Sequence, residues 1–388
     1  MAGADVIVIG GGVVGSAVAY HLARDGHDAI LLDRRDDGRA TDAGAGIISP
    51  PTSSRTASDD WFDLAVPAVQ YYPDLVDRLR EDGVGETGYA QCGLLNVATD
   101  EASLEALAAN ERRIRRRQTA LGYPPEGTVY ELDPGEAVER FPPLAEPERA
   151  LYYEGGARVD GRRFERALRE AAGRHGLAVE ETGADRLRVE NGTVTGVVTG
   201  EGTLPAETVV IAGGAWSSAF ADQLGVRIPV SPQRGQIVHV QSGTEGSADW
   251  PVVTGFDHRY MVPWAGGRVA VGATDEAGTG YEPHATVAGV RELLTTARDL
   301  APGLDDARIC ETRAGLRPVT PDGLPVLGSV PHVDGALVAT GHGATGLQLG
   351  PYTGRAIASL AAGRTPPVDL SPFRAGRFVD APAGGDPP

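Results

Sequence analysis

Four consecutive aliphatic residues, Val6 to Ile9, run straight into the glycines Gly10, Gly11 and Gly12. A short unbroken apolar run of this kind reads as a buried strand. In the next stretch, VVGSAVAYHLARDG, Val14, Val18 and Leu22 fall on one helical face, and Gly26 stands where a helix commonly ends. AILLD (29–33) then reads as a second buried strand, so the pattern predicts a βαβ unit with parallel strands. The same logic predicts a helix in DGRRFERALREAAGRHG. Asp160 suits its N-cap, Phe164, Ala167, Leu168 and Ala171 form its apolar stripe, and Gly176 closes it. LAVEE follows as a strand, RLRVENGTVTGVVT as a hairpin turning at Asn191–Gly192, and ETVVIAGGAW as another buried strand.

Between 61 and 150 the pattern mixes polar helices with proline-rich loops. The run ERRIRRRQ (111–118) reads as the solvated face of a helix with acidic neighbours, a basic membrane-surface patch being the other reading. Beyond about residue 226 strands with Pro and Gly turns predominate, until GALVATGHG leads into a final helix, TGLQLGPYTGRAIASLAAG. This order predicts a discontinuous nucleotide-binding domain (1–80, 150–225 and 318–375) and a sheet-containing substrate domain (81–149 and 226–317). A disordered tail is expected over 376–388.

Charge and composition narrow the classes. The stretch Val6–Tyr20 is uncharged, but no basic segment precedes it and His21, Arg24 and Asp25 end it short of the roughly 20 residues a membrane span needs. The expectation is a chain without a transmembrane segment, in the cytoplasm, with peripheral membrane association left open. A formal charge of −18 opposes nucleic-acid binding, which requires a basic face. The two cysteines, Cys92 and Cys310, form neither a disulfide framework nor a thiolate metal site, and no metal is expected. All 35 basic residues are arginine. Codon bias and adaptation to high salt both account for that, and either way no chemical step uses a lysine.

Gly10, Gly12 and Gly15 match G-x-G-x-x-G between a strand and a helix. The first permits a tight turn, the second admits a pyrophosphate, and the third lets helix and strand pack closely. Asp33 ends the next strand, where a carboxylate accepts ribose hydroxyls. A dinucleotide is therefore expected. A nicotinamide cofactor needs nothing beyond the fingerprint, whereas a flavin needs distant contacts, for which TDAGAGIIS (41–49), VVIAGGAWS (209–217, with Gly213) and GHGATGLQ (341–348) are candidate segments. The last begins a helix, whose positive end favours charge developing on a reduced ring.

With VIVIGGGVVGSAVAYHLA, TDAGAGI, TVVIAGGAWS, HRYMVP, GRVAVGAT, AGLRPVTPDGLPVLG and ATGHGATGL in place, the chain resembles the FAD-dependent amino-acid oxidase family from Val6 to about Leu360. That family includes glycine oxidase, sarcosine oxidase and D-amino-acid dehydrogenase. The resemblance implies an α/β fold (α+β overall), an FAD-binding Rossmann-like domain with an inserted antiparallel-sheet substrate domain. It assigns FAD contacts to Val13, Val14, Asp33, Arg34, Ala40, Thr41, Ala45, Gly46 and Ile47, and adenine contact to Ala184. The loop His342, Gly343, Ala344, Thr345, Gly346, Leu347 and Gln348 is placed at the flavin ring.

The same resemblance implies that Arg317 and Tyr260 hold the substrate carboxylate. A guanidinium presents a planar fork and a phenol one oriented donor. A buried inter-domain salt bridge remains the alternative for Arg317, and sheet packing for Tyr260. His258 is a candidate for substrate contact, and His342 reads as a loop hydrogen-bonder rather than a base. Glycine oxidases carry an arginine where this chain has Ala344, and sarcosine oxidases attach flavin through a cysteine where it has Gly315. Cys310 reads as a core residue. The implied cofactor is therefore non-covalent FAD. The implied substrate is a small or D-configured amino acid, or an N-alkyl glycine. The electrons go to oxygen, a quinone or another acceptor, and a homo-oligomer is possible.

Overall fold

A computed structural model describes residues 4–53, 58–243, 245–255 and 259–378. Along the chain, β1 (Ala4–Ile9), α1 (Val13–Arg24) and β2 (Ala29–Leu32) form the expected βαβ unit, followed by α2 (Asp59–Glu81), β3 (Leu94–Ala98) and α3 (Glu101–Leu121). Then come β4 (Val129–Leu132), β5 (Arg149–Tyr153), α4 (Gly161–Arg174), β6 (Ala178–Glu180), β7 (Arg186–Glu190), β8 (Thr193–Thr199) and β9 (Gly202–Ile211). The last third supplies β10 (Ser231–Gln241), β11 (Val252–Thr254), β12 (Tyr260–Trp264), β13 (Arg268–Gly272), β14 (Arg308–Val319), β15 (Val326–Ser329), β16 (Ala336–Thr340) and α5 (Gly346–Ala361).

Two large sheets organise these elements. In the first, β1 lies parallel between β9 and β2, β6 extends the β2 edge, and β16 pairs with β9. The β7–β8 hairpin joins the early half of β9, and its turn residues Asn191 and Gly192 have φ of 52° and 79°, as a type I′ turn requires. The second sheet runs β14-β10-β13-β12-β11-β3-β5-β4. It is antiparallel except for β11 with β3, which pair in parallel. β5 starts at the expected boundary near residue 150, yet it pairs within this second sheet.

Helices α1, α2, α4 and α5 cover one face of the parallel sheet. Val13, Val18 and Leu22 of α1 share a core with Phe164, Leu168, Leu75 and Ile357. Asp160 caps α4 by accepting from the backbone N–H groups of Arg162 and Arg163. Helix α2 runs unbroken through Pro67 and Pro73 because its buried side, from Leu64 through Tyr72 to Leu79, is anchored in this core. Of the tail expected over 376–388, residues 376–378 instead belong to a 3-10 turn (Ala375–Phe378) with Phe378 buried, and 379–388 lie outside the described residues. Among the described residues no helix is long and apolar enough to cross a membrane.

Candidate active site

Beyond the carboxyl ends of β1, β2, β9 and β16 lies a cavity of about 910 Å³. Open parallel sheets place their ligands in that position. Gly10 has φ of 102°, and a Cβ there would meet the Ala212 carbonyl oxygen at 2.5 Å. Gly15 does not line the cavity; a side chain on it would strike the Gly10 carbonyl, so it brings helix and strand together. Gly12 differs from both. A Cβ there would meet only Thr41 Oγ1, at 3.2 Å, so the protein's own packing hardly demands glycine, and the space is kept for a ligand.

The remaining expected cofactor contacts all line this cavity: Val13, Val14, Asp33, Arg34, Ala40, Thr41, Ala45–Ile47, Ala184, Gly213 and His342–Gln348. Thr41 Oγ1 accepts from the Val13 N–H at 2.9 Å and fixes the start of α1. Asp33 is buried over Gly11, and sequence reading missed how it is held. Arg39 Nη1 donates to its Oδ2 at 2.8 Å, Arg169 Nη2 to the same oxygen at 3.1 Å, and the Arg35 N–H to Oδ1 at 3.2 Å. A carboxylate accepts about four hydrogen bonds, so one acceptor site remains for a ribose hydroxyl. Glu165 ties the two arginines together, and burial raises its carboxyl pKa.

The fit to a dinucleotide is supported by an orphaned donor. Gln348 accepts from the Ser49 N–H at 2.9 Å, while its Nε2 is buried without a partner at the cavity wall. The N-terminus of α5 borders the same wall. His342 is buried, its pKa is pushed down to about 4 by desolvation, and Nε2 sits 3.3 Å from Thr353 Oγ1. A neutral, hydrogen-bonded loop histidine fits the reading from sequence.

The opposite wall is the second sheet. Arg317 and Tyr260 both line the cavity, from β14 and β12. The Arg317 guanidinium lies over Gly235 of β10, and the Tyr260 phenol over Gly272 of β13; a Cβ on either glycine would collide with it. Gly272 is opposite Ile237, two residues from Gly235 on the same face. Strand spacing and rise therefore put the two seats roughly 8 Å apart. Arg317 Nη1 also donates to the Thr274 carbonyl at 3.0 Å and to Asp275. The ion pair that forms is not the inter-domain bridge offered as the alternative: Asp275 follows β13 of the same sheet, and the guanidinium stays on the cavity wall. His258 lies outside the described residues. Gly235, Gly272 and Asp275 gave no sequence signal, because their roles depend on strand register.

Gly315 pairs with Gly235, and a Cβ on it would come within 2.6 Å of the Ala43 Cβ, so a cysteine does not fit there. Cys310 is not a core residue: it is exposed, and its thiol reaches the His239 carbonyl at 3.2 Å. Five residues along an extended strand carry it roughly 17 Å from Gly315.

Fold and cavity together define a dinucleotide-dependent oxidoreductase. The chain belongs to the FAD dependent oxidoreductase family, whose profile matches residues 5–360, and its cofactor is FAD. It is similar to an uncharacterized oxidoreductase of Bacillus subtilis, 39% identical with 95% of this chain and 97% of that one covered. Among solved structures it is similar to iminodiacetate oxidase from Chelativorans, at 37% identity and a TM-score of 0.90, covering 95% of this chain and 98% of the other. Glycine oxidase from Geobacillus kaustophilus superimposes with a TM-score of 0.85 at 32% identity, covering 98% and 99%.

Proposed function

We propose that this enzyme oxidises the C–N bond of a small or D-configured amino acid or an N-alkyl glycine, a group that includes glycine, sarcosine and iminodiacetate. The observation that carries the reading is Arg317 and Tyr260 side by side on the wall facing the cofactor crevice. FAD, bound non-covalently, would supply at N5 the acceptor for the substrate's α-hydrogen as hydride, and the imine so formed would hydrolyse to a 2-oxo acid. Arg317 would grip the substrate carboxylate with its planar fork while Tyr260 donates one hydrogen bond to it, orienting the α-carbon. No side-chain base is needed if the amine is unprotonated, and neutral, buried His342 is consistent with that. In the same proposal, FAD lies against the parallel sheet and the substrate against the second, and oxygen, a quinone or another acceptor takes the electrons.

The test is Arg317→Ala. It should keep its flavin and melting temperature while kcat/KM falls roughly 10²-fold or more, mainly through KM, as for loss of a charge-assisted contact. Arg317→Lys should rescue poorly, since an ammonium lacks the fork. Denaturing the wild type should release free flavin. An alanine variant that loses stability and flavin but keeps its KM would show that the Asp275 pair is purely structural, and would refute the proposal.

A further inference from the structure

The same cavity has a second cationic wall. Helix α3 brings Arg112, Arg113 and Arg116 onto its lining, so the arginine run is only partly the solvated face expected from sequence. Arg115 pairs with Glu111, but among the described residues Arg112, Arg113, Arg116 and Arg117 form no ion pair. The chain holds 53 acidic residues against 35 arginines, so these four are not unpaired for want of acids. Arg117 lies over the Phe62 ring at 4.0 Å and, although its Nη1 is also buried without an acceptor, it does not line the cavity.

Arg113 is not accounted for. Its Nε is buried with no acceptor, and burial together with the charge of Arg116 lowers its pKa. A guanidinium stays protonated in proteins, so an uncompensated charge is held there at a cost. It is also held in place. Its Nη2 donates to the Ser53 carbonyl at 2.9 Å and to Asn110 Oδ1 at 2.5 Å, and Asn110 donates to Asn96 Oδ1 at 2.9 Å. Asn96 in turn donates to the carbonyl and hydroxyl of Thr254 at 3.1 Å each, and Thr254 pairs directly with Tyr260. A hydrogen-bonded chain thus links this arginine to the strand pair carrying the tyrosine of the carboxylate clamp.

We propose that the substrate carries a second carboxylate, distal to the one at Arg317, and that Arg113 receives it with Arg112 and Arg116 alongside. The inference rests on the amino-acid reading above and narrows it to amino dicarboxylates. A carboxylate there supplies the acceptor that Arg113 Nε lacks and offsets the repulsion between Arg113 and Arg116. In a protein of net charge −18, a cavity with two cationic walls also draws a dianion past an acidic surface.

The experiment compares kcat/KM for iminodiacetate, D-aspartate and D-glutamate with that for sarcosine and glycine, in wild-type holoenzyme and in Arg113→Gln, with flavin content measured in each. Wild type should favour a dicarboxylate by at least about tenfold. Arg113→Gln should reduce the dicarboxylate-to-monocarboxylate ratio roughly 10–100-fold, through KM for the dicarboxylate. Arg113→Lys should restore part of it. Arg116→Gln, a change at an exposed position, should move the ratio the same way by less and guards against misfolding of the first variant. Preference for iminodiacetate places the second carboxylate on the nitrogen substituent, and preference for an acidic D-amino acid places it on the side chain; both support the proposal. Equal use of mono- and dicarboxylates by wild type overturns it, as does a variant that weakens both classes in parallel. No flavin reduction by any of these amino acids would instead refute the reading beneath it.

Discussion

At Gly235 and Gly272 the absence of a side chain makes room for the Arg317 guanidinium and the Tyr260 phenol on the cavity wall. Gly272→Ala would put a methyl group where the Tyr260 phenol lies, and the ring must swing off its seat. The expected result is a folded, flavin-loaded protein whose kcat/KM falls about tenfold, similar to Tyr260→Phe, for one displaced hydrogen-bond donor. Steady-state kinetics beside a flavin spectrum check this, and unchanged kinetics would mean that the phenol does not touch substrate. Residues of this kind were beyond reach in the sequence. Gly10, Gly12 and Asp33 were legible because their spacing within one βαβ unit is local. Gly272 matters only through a register with Tyr260, and Arg39 and Arg169 matter only because folding brings them onto Asp33.

Elements follow the same division. β1, α1, α4 and the β7–β8 hairpin were legible from periodicity, an N-cap and an Asn–Gly turn. Helix α2 was not, since 61–150 read only as polar helices mixed with proline-rich loops, and the parallel pairing of β3 with β11 joins segments far apart in sequence. The contact between α1 and α5 shows what such pairing demands: Gly354 sits against the Ala17 backbone and methyl, and Gly350 approaches Val13 and Val14. Gly354→Val should force the helices apart and cost about 1–3 kcal/mol. Because both helices begin at the cavity, it should lose flavin as well. Asp160→Ala removes the cap of α4 and should cost about 1 kcal/mol with flavin retained. Thermal melts with flavin fluorescence separate the two, and a Gly354→Val protein as stable and as yellow as wild type would contradict the packing argument.

For the molecule as a whole, buried histidines set the response to acid. His21 and His239 are pushed down to about 3, chiefly by burial and then by nearby arginines, and His342 to about 4. An unfolded histidine takes up its proton near pH 6.5, while these stay neutral in the fold. Stability is therefore undiminished by them above pH 6.5 and is lost progressively as pH falls from 6.5 to the folded values of about 4 for His342 and about 3 for His21 and His239. Each should cost on the order of 1–2 kcal/mol by pH 5. The Glu311 carboxyl, held at about 2 chiefly by its Arg313 hydrogen bond, adds a loss only below about 4.5. The melting temperature should thus begin to fall between pH 6.5 and 5, ahead of the carboxylate range, and a flat profile there would refute it.

The position of β1 has a consequence in time. It is the first strand made, and it lies between β2, made next, and β9, which begins only at Gly202. From Ile9 to Gly202 is 193 residues of synthesis, or roughly 10–40 s at typical ribosomal rates. The cavity-lining loop at 342–348 emerges later still, after β16. Throughout that interval the nascent chain carries half a nucleotide site with one apolar strand edge uncovered. Chain order therefore sets cofactor capture late in biosynthesis, after the last of the cavity-lining segments has emerged.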